Sequence, residues 1–133
     1  MGTKTIMQLA VFESQARPVY EALTDSRRHA AFTGEAAVID ARPGGTFTAY
    51  GDYITGCFVQ IVPLKKIVQR WRAADWPEGV FSEVTIELQE KKGVTTLYFT
   101  QEGVPEDFAE AIAQGWHDHY WDRLRDYLEN HPG

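Results

Sequence analysis

A chain of 133 residues that is 44% hydrophobic and 13% aromatic has enough apolar material for one folded core and too much for a disordered segment. Its net charge of −6 argues against nucleic acid or an anionic membrane as partner, and no apolar run approaches the roughly 20 residues of a membrane span. With one cysteine, Cys57, and no visible signal peptide, residues 1–133 read as a single cytoplasmic domain without an internal disulfide.

Thr5 to Phe12 mixes Ile6, Met7, Leu9, Val11 and Phe12 and is expected as an edge strand. Ser14 is a candidate cap for a short helix with Pro18 in its first turn and Val19, Tyr20, Ala22 and Leu23 along it. Asp25-Ser26 breaks or re-caps the chain before a second short helix, Arg27 to Phe32, which Gly34 ends. The period then changes from helical to two. Ala36 to Ala41 leads into the turn Pro43-Gly44-Gly45, and Thr46 to Tyr50 puts Phe47 and Ala49 on one face. Gly51-Asp52 turns the chain into Gly56 to Val62, which is apolar on both faces, so its inward register stays open. After the loop Pro63 to Lys66, a strand from Ile67 to Ala73 sets Ile67, Gln69 and Trp71 against Val68, Arg70 and Arg72. The arginines choose water, so Trp71 is expected inside.

Asp75-Trp76-Pro77-Glu78-Gly79 reads as a loop, with Trp76 either exposed or folded over the sheet rim. Val84, Ile86 and Leu88 then alternate with Glu83, Thr85, Glu87 and Gln89, and the turn Lys91-Lys92-Gly93 makes a hairpin to Thr95 to Gln101, with Leu97 and Phe99 inward. From Glu106 to Asn130, Phe108, Ile112, Trp116, Tyr120, Leu124 and Leu128 recur every four residues, one apolar stripe on a helix roughly 36 Å long. Pro105 is expected at its first position and His131-Pro132-Gly133 at its close. A sheet apolar on one face needs a cover, and this helix has the matching stripe. The fold class expected is α+β: a curved antiparallel sheet of about six to seven strands wrapped around a long C-terminal helix, with two short helices after the first strand.

That order resembles the START-like (SRPBCC, helix-grip) superfamily, and within it the C-terminal domain of the heat-shock protein 90 ATPase activators. The resemblance runs from about Val11 to Leu128. It is carried by Tyr20-Glu21-Ala22-Leu23-Thr24, Gly44-Gly45-Thr46-Phe47, Gly56-Cys57-Phe58, Val62-Pro63 with Lys66-Ile67-Val68, Trp71-Arg72, Trp76-Pro77-Glu78-Gly79, Ser82 with Val84-Thr85, and Gly115-Trp116 with Tyr120. The chain departs from the eukaryotic activators at Val80, where they tend to have histidine. The resemblance also covers none of their separate N-terminal chaperone-binding domain. It therefore implies the helix-grip fold and half of a two-handed chaperone grip.

Among chemistry-bearing residues, Phe47, Phe58, Trp71, Phe99, Trp116 and Tyr120 are candidates to line a cavity between sheet and helix, the alternative being an ordinary filled core. Polar atoms there would come from Tyr50, Gln60, Gln69 and His119, of which Gln69 and His119 are the candidate orienting groups. His117 and His119 point about 200° apart on a helix and cannot chelate together; His119 is expected to pair with Asp122 or Arg123. No metal or cofactor is expected. Cys57 lies mid-strand with no adjacent histidine and reads as a buried structural thiol, and no serine has a Gly-x-Ser-x-Gly context. Gly44, Gly45 and Gly115 mark expected sites of close backbone approach or special conformation. The first functional reading is a non-enzymatic module holding a small hydrophobic or amphipathic ligand between sheet and helix. A co-chaperone-like partner of a heat-shock protein 90 type chaperone is the alternative. A cyclase or aromatase, needing His119, Tyr120 or Arg72 to converge on the cavity within hydrogen-bond reach, is the second.

Overall fold

The period-two segments form one antiparallel sheet of seven strands: β1 (Thr3–Phe12), β2 (Val38–Ile39), β3 (Thr46–Ala49), β4 (Ile54–Val62), β5 (Lys66–Ala73), β6 (Ser82–Lys91) and β7 (Val94–Pro105). Their spatial order is β1-β7-β6-β5-β4-β3-β2, so β1 is the edge strand its composition predicts, paired with the last strand from Thr3↔Pro105 to Phe12↔Thr95. The computed structural model describes residues 2–130, and the expected closing triplet His131-Pro132-Gly133 lies outside them. Helices α1 (Ala16–Thr24) and α2 (Ser26–Thr33) follow β1, and α3 (Glu106–Trp116), a π-helical turn (His117–Trp121) and α4 (Asp122–Asn130) form the C-terminal helix. This is the α+β helix-grip fold.

Ser14 does not cap α1. Its hydroxyl bonds to the Gln15 carbonyl, and the first helical N–H, that of Ala16, donates to Glu90 Oε1 on β6 at 2.7 Å. A carboxylate distant in sequence serves the helix N-terminus better than the neighbouring hydroxyl. Asp25 does cap α2, accepting from the Arg28 N–H, and Gly34 closes it in the left-handed conformation at φ 79°. Pro105 ends β7 and occupies the N-cap of α3, one residue before its expected place.

In β4 the open register resolves with Ile54 and Phe58 inward, and a bulge between Phe58 and Gln60 then leaves Val59 and Gln60 facing out. Gln60 therefore contributes nothing to the interior. Cys57 is only half-buried. Gly44 has φ 82°, and a Cβ at Gly45 would run into the Asp40 carbonyl, so both carry the backbone roles expected of them. At Gly115 a Cβ would meet nothing nearer than His119 Cδ2 at 3.8 Å, and the close helix–sheet approach expected there is absent.

The C-terminal helix packs along two surfaces. Its first half lies on β1 and β7, while its second half lies on α1 and α2, so Leu124 and Leu128 are buried against helices. Phe108 and Ile112 are half-buried and Trp116, Tyr120 and Trp121 are buried. Trp76 is no exposed loop tip. It is 3% exposed, meets Trp71 edge-on at 5.4 Å and faces Phe108 at 6.5 Å, and Arg72 Nη2 ties its carbonyl at 2.7 Å. Truncating such a ring costs about 2–4 kcal/mol. Its Nε1 has no hydrogen-bond partner among the described residues, so the truncation also removes an unsatisfied donor, which holds the cost below that of a hydrogen-bonded tryptophan. Denaturant titration of Trp76→Ala checks this; a loss under about 0.5 kcal/mol, the surface norm, would mean that the loop does not hold the ring down.

Candidate functional site

The interior of the grip is an aromatic wall. Trp116 stands at its centre with Phe99 at 4.5 Å, Tyr120 at 4.6 Å, Trp121 at 5.4 Å and Trp71 at 5.5 Å between ring centroids. Its indole N–H donates to Gln101 Oε1 at 2.8 Å, Gln101 Nε2 donates to Ser82 Oγ at 2.9 Å, and Ser82 Oγ donates to the Trp71 carbonyl at 2.9 Å. The inward alternation of β7 thus continues from Leu97 and Phe99 to Gln101, a polar side chain satisfied inside the core.

On one side of this wall lies an open cleft of about 330 Å³, bounded by Tyr50, Tyr53, Ile54, Trp71, Ile112, Gly115, Trp116, His119 and Tyr120, with an almost wholly apolar surface. On the other side a space of about 20 Å³, lined by Leu23, His29, Ile39, Phe47, Phe58, Gln69 and the rings of Trp71, Trp116 and Tyr120 among others, has room for about one water. The residues singled out from the sequence thus separate. Trp71, Trp116, Tyr120 and His119 face the cleft, and Phe47, Phe58 and Gln69 face the inner space. Phe99 lines neither; it packs beneath Trp116 and Trp121. Tyr53, Ile54 and His29 carried no signal in the sequence, since each reaches the site from a turn, a strand end or a short helix by folding alone. Ile112 and Gly115 were legible as helix positions but not as cleft positions.

His119 does not pair with its helix neighbours. Asp122 takes Arg125 at 3.3 Å, and Arg123 Nη1 donates to the Thr33 carbonyl at 2.6 Å. The His119 ring instead meets Tyr50 edge-on at 5.8 Å, and its carbonyl accepts the Tyr50 hydroxyl. Tyr50 holds that position with φ 51°, the left-handed region that side chains of its size avoid. Burial pushes the Tyr50 phenol up to about 12 despite the pull of Arg123, and burial raises Tyr120 as well, so both stay protonated over the physiological range. Arg72 does not reach the cleft; its guanidinium donates to the carbonyls of Trp76, Pro77 and Val80. Of the groups a cyclase could use, His119 and Tyr120 border the cleft and Arg72 does not. Among the described residues no group of three or more His, Cys, Asp or Glu converges on a metal-sized site, and no helix is long and apolar enough to cross a membrane.

His29 is a second buried polar group, edge-on to Tyr120 at 5.4 Å and tilted against Phe32 at 5.0 Å, and its Nδ1 has no hydrogen-bond partner among the described residues. Burial pushes its pKa down to about 4, against about 6.5 for an exposed histidine. Below the higher value the unfolded chain binds a proton that the folded chain refuses, so stability is full above about pH 6.5 and declines as pH falls toward about 4, losing about 2 kcal/mol by about pH 5. Replacing His29 by Leu should flatten that decline. Denaturant midpoints of both chains across this range give the comparison, and an unchanged slope in the variant would assign the effect to other groups.

This fold and sequence have known relatives. The model of a family described as "Activator of Hsp90 ATPase homolog 1-like protein" matches residues 13–129. The chain belongs to that family. A human member, "Activator of 90 kDa heat shock protein ATPase homolog 1", is 32% identical over 114 residues, 86% of this chain and 34% of the human protein. The chain thus spans about a third of the length of such relatives. The crystal structure of an HSP90 activator from Plasmodium falciparum superposes with a TM-score of 0.89 at 25% identity, covering 96% of this chain and 97% of that one. DynU16, a protein of the dynemicin biosynthetic locus, shares the fold at a TM-score of 0.79 and 23% identity, over 96% of this chain and 48% of its own.

Proposed function

We propose that this chain is an interaction domain for a 90 kDa heat shock protein type chaperone and acts on its ATPase cycle in the cytoplasm. One observation carries the reading: the match to an HSP90 activator extends over nearly the full length of both chains, within a family whose model takes in most of the sequence. Partner recognition rests on the domain as a unit and needs no nucleic acid, membrane or cofactor. A purified chaperone of this type, assayed for ATP turnover with and without the chain, tests it. Stimulation with a complex at micromolar concentration is expected; neither stimulation nor complex at high micromolar concentration would overturn it.

The cleft favours a second use of the same domain, the holding of a small hydrophobic or amphipathic molecule between sheet and helix. Trp71, Trp116, Tyr120 and His119 would form its walls, and Phe47, Phe58, Phe99 and Gln69 would support them from behind. A volume of about 330 Å³ falls at the lower end of the roughly 300–1,000 Å³ of small-molecule sites. Hydrophobic probes competed by lipids, steroids or aromatic polyketides test this use. A cyclase or aromatase activity would have to work without Arg72, whose guanidinium is held in the 76–80 loop.

A further inference from the structure

We infer that Gly115 keeps the cleft open for a neutral, flat aromatic molecule, seated between Ile112 and Trp116 of the helix and Tyr50, Tyr53 and Trp71 of the sheet side. This deepens the ligand-binding use of the cleft and rests on it. Gly115 lies within α3, where glycine weakens a helix relative to alanine, and nothing in the backbone asks for it. Its φ is not left-handed, and a Cβ would make only an ordinary contact with His119 Cδ2 at 3.8 Å. The contrast with Gly45 and Gly56 is plain, since a Cβ at those positions would meet the Asp40 and Arg70 carbonyls. What Gly115 does border is the cleft. A side chain there would project into the open volume, so the missing one is space left for something else. The π-helical turn begins two residues later, at His117, and such turns recur at functional sites.

The lining defines the class of occupant. Five aromatic side chains besides His119 present rings or ring edges, and no Lys, Arg, Asp or Glu is among the lining residues. Two phenol hydroxyls are already committed, Tyr50 to the His119 carbonyl and Tyr53 to Asp75 Oδ1 at 3.0 Å. Burial keeps the Tyr50 and Tyr120 phenols uncharged. A charged ligand would lose its hydration and gain no partner ion, whereas a flat ring gains offset and edge contacts with the indoles and phenols. The volume accommodates about two or three rings.

The test uses two probes that share one ring system, neutral N-phenylnaphthylamine and its anionic relative anilinonaphthalene sulfonate, titrated by fluorescence into the full chain. The neutral probe is expected to bind, with the sulfonate at least about tenfold weaker. Gly115→Leu, with an unchanged near-ultraviolet circular dichroism spectrum, should weaken the neutral probe at least about tenfold by filling the cleft. Gly115→Ala should raise the thermal midpoint by roughly 2–5 °C. Absence of any probe binding to the parent chain would overturn the ligand-binding use itself. Equal binding by the parent chain and Gly115→Leu would place the probe elsewhere and overturn only the role of Gly115. Equal affinity for the sulfonate would overturn the neutral class. A lowered midpoint in Gly115→Ala would make the glycine structural, and a Leu variant that loses only chaperone binding would give the cleft to a partner's side chain; either overturns the inference.

Discussion

Trp116→Ala is expected to cost about 4 kcal/mol or more, a large share of the roughly 5–15 kcal/mol that holds a domain of this size together. Two effects add. The ring is 4% exposed and touches four other aromatic rings, so its removal leaves a cavity in a wall that cannot close without moving all four. Its N–H is also the donor to Gln101 Oε1, and Gln101 is fully buried, so the alanine variant leaves a buried acceptor unpaired, which costs about 1–3 kcal/mol by itself. One face of the indole borders the cleft, and water entering there would recover part of the loss. Burial on the other faces outweighs this, because the Gln101 end lies away from the opening. Trp116→Phe separates the two contributions. It keeps most of the ring contact and gives up the hydrogen bond, and should lose about 1–3 kcal/mol. Denaturant titrations of both variants read the two numbers. If alanine and phenylalanine cost the same small amount, the helix does not dock through this residue.

Trp121→Ala should cost about 3–5 kcal/mol. The ring is 1% exposed, stacked on Trp116 at an interplanar angle of 18° and edge-on to Phe99 at 5.5 Å. Its Nε1 donates to Gln8 Oε1 at 2.7 Å, and Gln8 Nε2 in turn donates to the Ala113 carbonyl at 2.8 Å. This side chain thus fastens the edge strand β1 to the middle of the C-terminal helix. The stacking depends on the π-helical turn. Five residues along an α-helix bring the chain round to about 140° from its start, which would aim Trp121 away from Trp116. In the wider turn the Asp122 N–H reaches back to the His117 carbonyl, and Trp121 returns over Trp116. Hydrogen exchange offers an independent readout. Loss of Trp121 should lower protection of both β1 and Ala109 to Leu124, because this buried link joins the strand edge to the helix. Loss of protection confined to the helix would show that β1 is held by β7 alone.

The pattern of apolar residues determined most of the fold. Alternation in residues 82–101 and the four-residue stripe from Phe108 to Leu128 each admit one secondary structure, and a sheet with one greasy face beside a helix with one greasy stripe has few ways to bury both. The family motifs were legible for the same reason, as short runs in a fixed order along the chain. Trp121 was not legible, because it lies off an α-helical stripe and joins the core only where the hydrogen bonding lengthens to five residues. Trp76 was left open by its turn-like neighbours; its burial is decided by Trp71 and Phe108, which stand on a strand and a helix remote in sequence. The candidate site divides in the same way. The sequence by itself determined that Trp71, Phe99, Trp116 and Tyr120 face inward, because on those strands and that stripe facing is a property of local period. Whether those rings fill the interior or leave a cleft was decided by the tertiary structure, since empty space depends on the distance between helix and sheet and on what each position lacks. Gly115 shows the difference most directly: one missing Cβ reads in the sequence as a close contact and in the folded chain as an opening, because only the packed partner, or its absence, says which of the two a glycine provides.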